Sequence, residues 1–308
     1  MLGIVPDELK NPEIRTSMID VDSGMTFEVD HCGDGDELAL CLHGFPEHSF
    51  SWRHQLPMLA KQGFTAWAPN LRGYGRTTRP TKLKDFALAE LIEDVEQLII
   101  ASKKKAVTLI GHDWGGIIAW EFAITDRLPL ERLIICNGPH MRSYVDTFGW
   151  SQLRKSWYVF YFQIPWLPEY LSGLQNAWVI GKVFENTNKD DAAFPSEVVE
   201  VFRRNASQPG ALRAMINYYR AYRYGWWERE RKWRKGLHEP ISISTLLIWG
   251  DEDEFLKIAI ATNTRNYVTD LRIRFIKGAS HWVQQERPEE VNRLIEEFVT
   301  ETVRTPKN

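Results

Sequence analysis

The stretch Leu109-Ile110-Gly111-His112-Asp113-Trp114-Gly115-Gly116 joins an apolar strand to a helix through glycines on both sides of a single acid. Only small side chains fit around so tight a strand-to-helix turn, which lifts its central side chain above the sheet and beside a helix N-terminus. An acid that merely caps a helix is commoner, but capping does not explain the flanking glycines and the preceding buried strand. The stretch therefore predicts a nucleophile elbow with Asp113 as its reactive side chain.

Short apolar runs recur on both sides of this turn and alternate with segments of helical periodicity. The runs lie at residues 38–42, 65–69, 107–110, 133–136, 245–249 and 271–276. Residues 87–101 and 289–303 carry apolar side chains every three or four positions, as amphipathic helices do. Residues 14–21 and 25–30 flank a turn and predict an entry hairpin. The alternation predicts an α/β fold with a mainly parallel, doubly wound sheet.

The strand pattern stops at residues 140–240, which are helical in character and rich in aromatic side chains. Seven of the thirteen tryptophans lie in this third of the chain, more than a core needs. We therefore predict two units, a core of residues 1–139 and 241–308 and an inserted helical cap domain of residues 140–240 over an apolar cavity. The mixed charges of residues 220–235 favour a solvated helix face over a membrane-surface helix.

Composition and charge narrow the class of partner. The 308 residues carry a formal net charge of −3 with acids and bases interspersed, so neither nucleic acid nor an anionic membrane is the expected partner. The first residues hold no secretory or transmembrane run, and three cysteines without CxxC spacing favour free buried thiols. We expect a cytoplasmic protein without a membrane anchor, metal or other cofactor. Its substrate should be small and roughly neutral, and the sequence does not decide between a monomer and a homodimer.

An aspartate at the position where esterases and lipases have serine changes the expected chemistry. A carboxylate attacks saturated carbon that bears a leaving group, which makes epoxides and alkyl halides the candidate substrates. The alkyl ester formed on Asp113 then needs a base to activate water and an acid to orient that base. His281, just beyond the last expected strand, is the candidate base. Among the acids after residues 245–249, Asp253 is the preferred orienting acid and Asp251 the second.

Hydrolysis of an ester also passes through an oxyanion, which two backbone amides should stabilise. The stretch His43-Gly44-Phe45-Pro46-Glu47 follows the strand at 38–42 and supplies the Phe45 amide, with Pro46 expected to be cis. The Trp114 amide, directly after the nucleophile, is the expected second donor. We also expect the rings of Phe45, Trp114, Trp157 and Trp282 to bind substrate.

Taken together, the HGFPE and GHDWGG motifs resemble the epoxide hydrolase branch of the α/β-hydrolase superfamily, over about residues 25–303. The resemblance implies that two cap tyrosines bind and protonate the epoxide oxygen. The family spacing ahead of a Phe-Gln pair selects Tyr158, with Tyr161 as runner-up, and a tyrosine before an arginine selects Tyr219. The resemblance also favours Asp253, since the family acid usually stands three residues after the strand-ending glycine, here Gly250.

Two other functions compete with epoxide hydrolysis. A haloalkane dehalogenase is similar in its Asp nucleophile and following Trp, but it needs N–H donors for halide and often has Asn at the position of Phe45. The phenols of Tyr158 and Tyr219 suit an alkoxide better, because they donate a proton as well as a hydrogen bond. A binding protein that lost catalysis would not be expected to keep Asp113 and His281. The resemblance thus implies hydrolysis of an apolar or aromatic epoxide with water to a vicinal diol, with dehalogenation as the alternative.

Overall fold

The computed structural model describes residues 4–235 and 239–304, which fold around one eight-stranded sheet of order β1-β2-β4-β3-β5-β6-β7-β8. The strands are β1 (Arg15–Asp20), β2 (Thr26–Cys32), β3 (Glu37–Leu42), β4 (Phe64–Pro69), β5 (Ala106–His112), β6 (Arg132–Cys136), β7 (Thr245–Gly250) and β8 (Leu271–Ile276). The hairpin strands β1 and β2 pair antiparallel, and β2 also runs antiparallel to β4. All other pairs are parallel, which confirms the expected α/β-hydrolase fold.

The helices of the described residues fall into those that flank the sheet and those that follow β6. They are α1 (Gln55–Lys61), α2 (Leu88–Ser102), α3 (Trp114–Thr125), α4 (Met141–Asp146), α5 (Trp150–Lys155), α6 (Trp157–Tyr161), α7 (Leu167–Thr187), α8 (Ser196–Ala206), α9 (Ala211–Ala221), α10 (Trp226–Arg234), α11 (Ile258–Asn263), α12 (Val283–Glu286) and α13 (Pro288–Arg304). Helix α7 is interrupted by non-helical backbone at residues 174–177. No helix in the described part of the chain is long and apolar enough to cross a membrane.

Two apolar layers hold helices against opposite faces of the sheet. Strand β5 is almost wholly buried, and its alternating side chains feed both layers, Leu109 into one and Ile110 into the other. Helices α2 and α3 cover the first face, while α1 and α13 cover the second. Burial on both faces explains why the central strands read as continuous apolar runs, each buried Leu or Ile contributing about 1.5–3 kcal/mol.

Helices α4 to α10 lie between β6 and β7 in the chain, within the range expected to form a cap domain. They contact the loops after the strands: the Tyr218 hydroxyl donates to the Arg72 carbonyl (2.9 Å), and the Asn205 side chain donates to the Glu47 carbonyl (2.8 Å). The division into core and cap stays a prediction. Residues 1–3 and 305–308 of the predicted core and residues 236–238 of the predicted cap lie outside the described part of the chain.

Candidate active site

Asp113 sits between the last residue of β5 and the first residue of α3 in an uncommon backbone conformation, φ 50° and ψ −117°. Such a conformation costs free energy in a residue other than glycine and persists only where the surroundings enforce it. Close packing enforces it here. A Cβ added to Gly44 would lie 2.4 Å from the Asp113 Cβ, and one added to Gly115 would lie 2.1 Å from the Leu42 carbonyl oxygen. Glycines therefore let the chain approach closely enough to expose the carboxylate.

His281 follows β8 and carries its imidazole to the elbow from the other side of the site. Its Nδ1 lies 2.7 Å from Asp253 Oδ2 and its Nε2 lies 3.5 Å from Asp113 Oδ2. The imidazole and the Asp253 carboxylate are buried. The structure therefore brings the expected nucleophile, base and orienting acid into one contiguous row, in the order that a nucleophile, base and acid require.

Of the clustered acids after β7, Asp253 is the one that contacts the imidazole. Asp251 Oδ1 instead accepts a hydrogen bond from the Gly278 amide (2.7 Å), which links the loops after β7 and β8. The structure thus places the preferred acid, and not the second choice, beside His281.

Asn137 is a residue whose contribution the sequence did not indicate. Its side-chain nitrogen donates to Asp253 Oδ2 (2.6 Å), and its oxygen accepts from the Gly250 amide (2.9 Å). The Phe255 and Leu256 amides donate to the other carboxylate oxygen at 2.7 and 2.9 Å. Asp253 is therefore held as a buried anion by charge-assisted hydrogen bonds from three directions.

Electrostatics set the protonation of this row. Burial raises the pKa of Asp253, but the charge of His281 and the hydrogen bonds from His281 and Asn137 outweigh burial and hold the pKa below its usual range. Burial lowers the pKa of His281, whereas Asp253 and Asp113 together raise it to about 10. Asp253 and Asp113 therefore favour the imidazolium form of His281.

The loop after β3 supplies a backbone donor to the Asp113 carboxylate. The Phe45 amide donates to Asp113 Oδ1 (2.8 Å), and the peptide bond between Phe45 and Pro46 is cis, as expected. The Trp114 amide belongs to the first turn of α3, where helix amides lack intrahelical partners. Within the described hydrogen bonds, only the Phe45 amide of the expected pair reaches the Asp113 carboxylate.

Tyr158 and Tyr219 face Asp113 from helices α6 and α9. Their ring centroids are 5.9 Å apart, and the Tyr219 ring packs 5.1 Å from that of Trp114. Burial raises the pKa of both phenols well above its usual range, and the charge of Asp113 adds to the increase. Both phenols therefore keep their protons. Tyr161 lines one cavity together with Tyr158 and Tyr219, but its ring contacts are with Trp157 and Phe162.

Two cavities meet at Asp113 and the two facing tyrosines. The larger, about 660 Å³, is lined by Phe45, Trp157 and Trp282 among others. The smaller, about 220 Å³, lies on the Trp114 side and is lined mainly by apolar and aromatic side chains of α3, α4, α6 and α10. The four rings expected to bind substrate therefore all line a cavity that Asp113 also lines. Trp157 stands at the exposed mouth, whereas Trp282 is fully buried with its indole N–H on Thr187 (2.9 Å).

Comparison with known proteins places this site in a family. Residues 39–288 match the model of the alpha/beta hydrolase fold. Epoxide hydrolase 3 of Xenopus tropicalis is 37% identical over 295 residues, which cover 93% of this chain and 78% of that protein. Epoxide hydrolase 4 of Homo sapiens is 35% identical over 291 residues, 92% and 78% of the two chains. The chain is an α/β-hydrolase of the epoxide hydrolase family.

Solved structures agree with this family assignment. The crystal structure of an epoxide hydrolase from Vigna radiata superposes on this α/β-hydrolase with a TM-score of 0.81 at 27% identity, over 95% of this chain and 99% of that one. A mutant epoxide hydrolase from Bacillus megaterium gives a TM-score of 0.80 at 28% identity, over 92% of this chain and 100% of that one.

A second buried network in this α/β-hydrolase lies behind His281, and the sequence did not reveal it either. His112 Nδ1 lies 2.7 Å from Glu47 Oε2, and His112 Nε2 lies 2.9 Å from the His281 carbonyl oxygen. Burial raises the pKa of Glu47, but the charge and hydrogen bond of His112, together with the hydrogen bond from the Gly44 amide, outweigh burial and lower the pKa to about 2. Glu47 and His112 belong to the two sequence motifs, so their motif membership was the only local signal. Together they fix the backbone that carries the imidazole.

Proposed function

We propose that this chain hydrolyses apolar or aromatic epoxides to vicinal diols through an alkyl ester on Asp113. The observation that carries the proposal is the position of one carboxylate between an imidazole and two phenols. Asp113 Oδ2 lies 3.5 Å from His281 Nε2, and Tyr158 and Tyr219 line the cavity into which Asp113 opens. A nucleophile, a base and two acids thus surround the space where a small ring would bind.

In the first step, Asp113 Oδ2 attacks one carbon of the epoxide ring. This oxygen has no backbone donor among the described hydrogen bonds, whereas Oδ1 accepts the Phe45 amide (2.8 Å). A C–O bond forms as the ring C–O bond breaks, and the electron pair passes to the epoxide oxygen. Tyr158 and Tyr219 donate hydrogen bonds to that oxygen, and one of them gives it a proton. The tyrosinate that remains is reprotonated as the His281 imidazolium loses its proton, which leaves a neutral imidazole. The products are an alkyl ester on Asp113 and a free hydroxyl on the neighbouring carbon.

In the second step, water cleaves the ester. His281 Nε2 takes a proton from a water molecule, and the hydroxide adds to the carboxyl carbon of Asp113. Negative charge develops on Oδ1, where the Phe45 amide already points, and the Trp114 amide is the expected second donor. The C–O bond to the substrate then breaks, the departing alkoxide takes the proton of the new Asp113 carboxyl group, and the diol leaves. Asp113 is then again a carboxylate and His281 again an imidazolium. Asp253 orients the imidazole and stabilises its charged form.

The cavities support an apolar substrate with room on both sides of the ring. Both are lined mainly by aromatic and aliphatic side chains, with the reactive groups at their junction. A related Bacillus megaterium epoxide hydrolase, 28% identical, was solved as a mutant with a naphthyloxy propanediol product. A bulky aromatic epoxide is accordingly the substrate class we propose, with residues 140–240 acting as the cap that supplies the tyrosines.

Oxygen labelling in a single turnover tests the ester mechanism. With enzyme in excess over styrene oxide in H₂¹⁸O, the label should enter the Asp113 carboxylate, while the diol takes its oxygen from the enzyme. His281→Gln should accumulate a substrate adduct on the peptide that contains Asp113, because alkylation precedes the step that needs the base. Asp113→Asn is the matched control and should carry no adduct.

Two results would contradict the proposal. Label found directly in the diol after one turnover would show that water attacks the ring without an ester. Release of halide from alkyl halides without diol formation from epoxides would favour the dehalogenase alternative. The relatives that are named epoxide hydrolases do not support that alternative.

A further inference from the structure

An unusual amount of aromatic surface faces solvent on helices α5, α6 and α7. Trp150 is 81% exposed, Trp166 73% and Trp157 64%. The other exposed apolar side chains of these helices and their connections are Phe160, Ile164, Tyr170, Leu171, Leu174, Trp178 and Val179. Single exposed apolar residues are ordinary on a protein surface, but a cluster of this size marks an interaction site. We call the surface of α5, α6 and α7 the aromatic face.

The mouth of the larger cavity opens within the aromatic face. Ser151 and Arg154 of α5, Trp157 of α6 and Val179 of α7 are exposed and also line that cavity. All three helices therefore surround the same opening. Anything that covers the aromatic face also covers the route by which a substrate reaches Asp113.

An arginine-lined groove borders the aromatic face at Trp166. The groove, about 600 Å³, also includes Arg213, Arg220 and Arg223. Arg220 is occupied, since it pairs with Glu169 and donates to backbone carbonyls. Arg213 and Arg223 are exposed, and neither forms an ion pair with a described residue. Two unpaired guanidinium groups beside an exposed tryptophan suit a phosphate-bearing headgroup.

The distribution of charge along the chain points the same way. Residues 140–240 hold 15 Lys and Arg against 10 Asp and Glu, a net charge of +5, so the rest of the chain carries −8 of the total −3. The expectation against an anionic membrane rested on the charge of the whole chain. The excess lies mainly beside the aromatic face: residues 150–187 hold Arg154, Lys155 and Lys182 against Glu169 and Glu185, a net charge of +1, whereas residues 188–240, which include Arg213 and Arg223 of the bordering groove, carry +4.

We propose that the aromatic face docks onto a phospholipid bilayer that contains anionic headgroups. Tryptophan and tyrosine favour the membrane interface because their rings are apolar and their N–H or O–H groups stay hydrated. Arg213 and Arg223 then contact headgroup phosphates. A second copy seated on this face would close the cavity mouth, whereas a bilayer dissolves apolar epoxides and delivers them at the opening. The docking proposal depends only on the residues of this surface. The delivery of substrate also depends on the proposed function.

Vesicle binding tests the docking. Wild-type protein should cosediment with phosphatidylcholine vesicles that contain phosphatidylserine, more weakly as salt rises, and with a blue shift of tryptophan emission. Trp150→Ser combined with Trp166→Ser should abolish binding. Arg213→Ser combined with Arg223→Ser should weaken binding to the anionic vesicles by roughly tenfold or more at low salt. Binding to vesicles of pure phosphatidylcholine should be the same for this variant and the wild type. Phe275→Ser, which removes a 43% exposed ring on β8, is the matched control and should bind like wild type.

Activity separates this proposal from the proposed function. The Trp150/Trp166 variant should hydrolyse a water-soluble epoxide at the wild-type rate. Vesicles that carry an apolar epoxide should raise the rate of hydrolysis by the wild type but not by this variant. Wild-type protein that fails to bind anionic vesicles would overturn the docking, whatever its activity. A second result would also overturn the docking. If the wild type binds no vesicles and sedimentation velocity shows that it is a dimer, which the tryptophan substitutions convert to a monomer, the aromatic face joins two copies.

Discussion

Asn137→Gly should slow hydrolysis of the Asp113 ester far more than its formation. The substitution removes the 2.6 Å hydrogen bond to Asp253 but suits the backbone, because Asn137 has a φ of 38° that glycine adopts without strain. A hydrogen bond to a charged group contributes about 1.5–3 kcal/mol. Asp253 keeps its two backbone donors and His281, so we expect the lower part of that range, about 10- to 40-fold in the rate of hydrolysis.

Single-turnover kinetics measure the two steps separately. Quenched samples analysed by intact mass should show the ester accumulating in Asn137→Gly while its rate of formation stays near wild type. Asn266→Gly is the control, since it removes an exposed hydrogen bond of 2.8 Å to Asn263, and no described hydrogen bond joins either residue to Asp253. Equal slowing of both steps, or unchanged hydrolysis in a variant that melts at the wild-type temperature, would refute the role given to Asn137.

Three further predictions concern the nucleophile, the tyrosines and the smaller cavity. Asp113→Asn removes the charge that helps raise the pKa of His281, so NMR titration of the imidazole should give a pKa below that of wild type, and an unchanged value would contradict the pairing. Tyr158→Phe with Tyr219→Phe should lower epoxide turnover by ~10²-fold or more in a folded protein; wild-type rates would remove both phenols from the mechanism. Val145→Trp should fill the smaller cavity and cost ~10-fold or more in kcat/KM for epoxides substituted on both carbons, but not for terminal epoxides.

The sequence predicted those parts of the fold and site that local sterics and burial determine. The elbow at Asp113 needs glycines at fixed spacing, and the central strands need unbroken apolar runs, so both are visible in a few neighbouring residues. His281 was predictable because it follows the last strand of a parallel sheet, whose carboxyl ends meet at one edge. Each of these features leaves a local pattern in the chain.

Contacts between distant segments left no such pattern. Asn137 lies 116 positions from Asp253, and His112 lies 65 from Glu47, so only the fold shows that each pair forms a hydrogen bond. The same limit applies to the aromatic insertion. Its richness in tryptophan predicted a cavity, but composition does not say which rings turn inward, and Trp150 lies on the outside.

The charge on Asp113 sets the order of the two proposed chemical steps. While Asp113 is ionised, it and Asp253 outweigh burial and raise the pKa of His281 to about 10, so the imidazole holds a proton and is unable to take one from water. Alkylation turns Asp113 into a neutral ester and removes one of the two attractions. Burial, which lowers the pKa of His281, then opposes Asp253 alone, and the proton leaves more readily. The first step thus creates the base that the second step uses. A base that formed before alkylation would have no ester to hydrolyse.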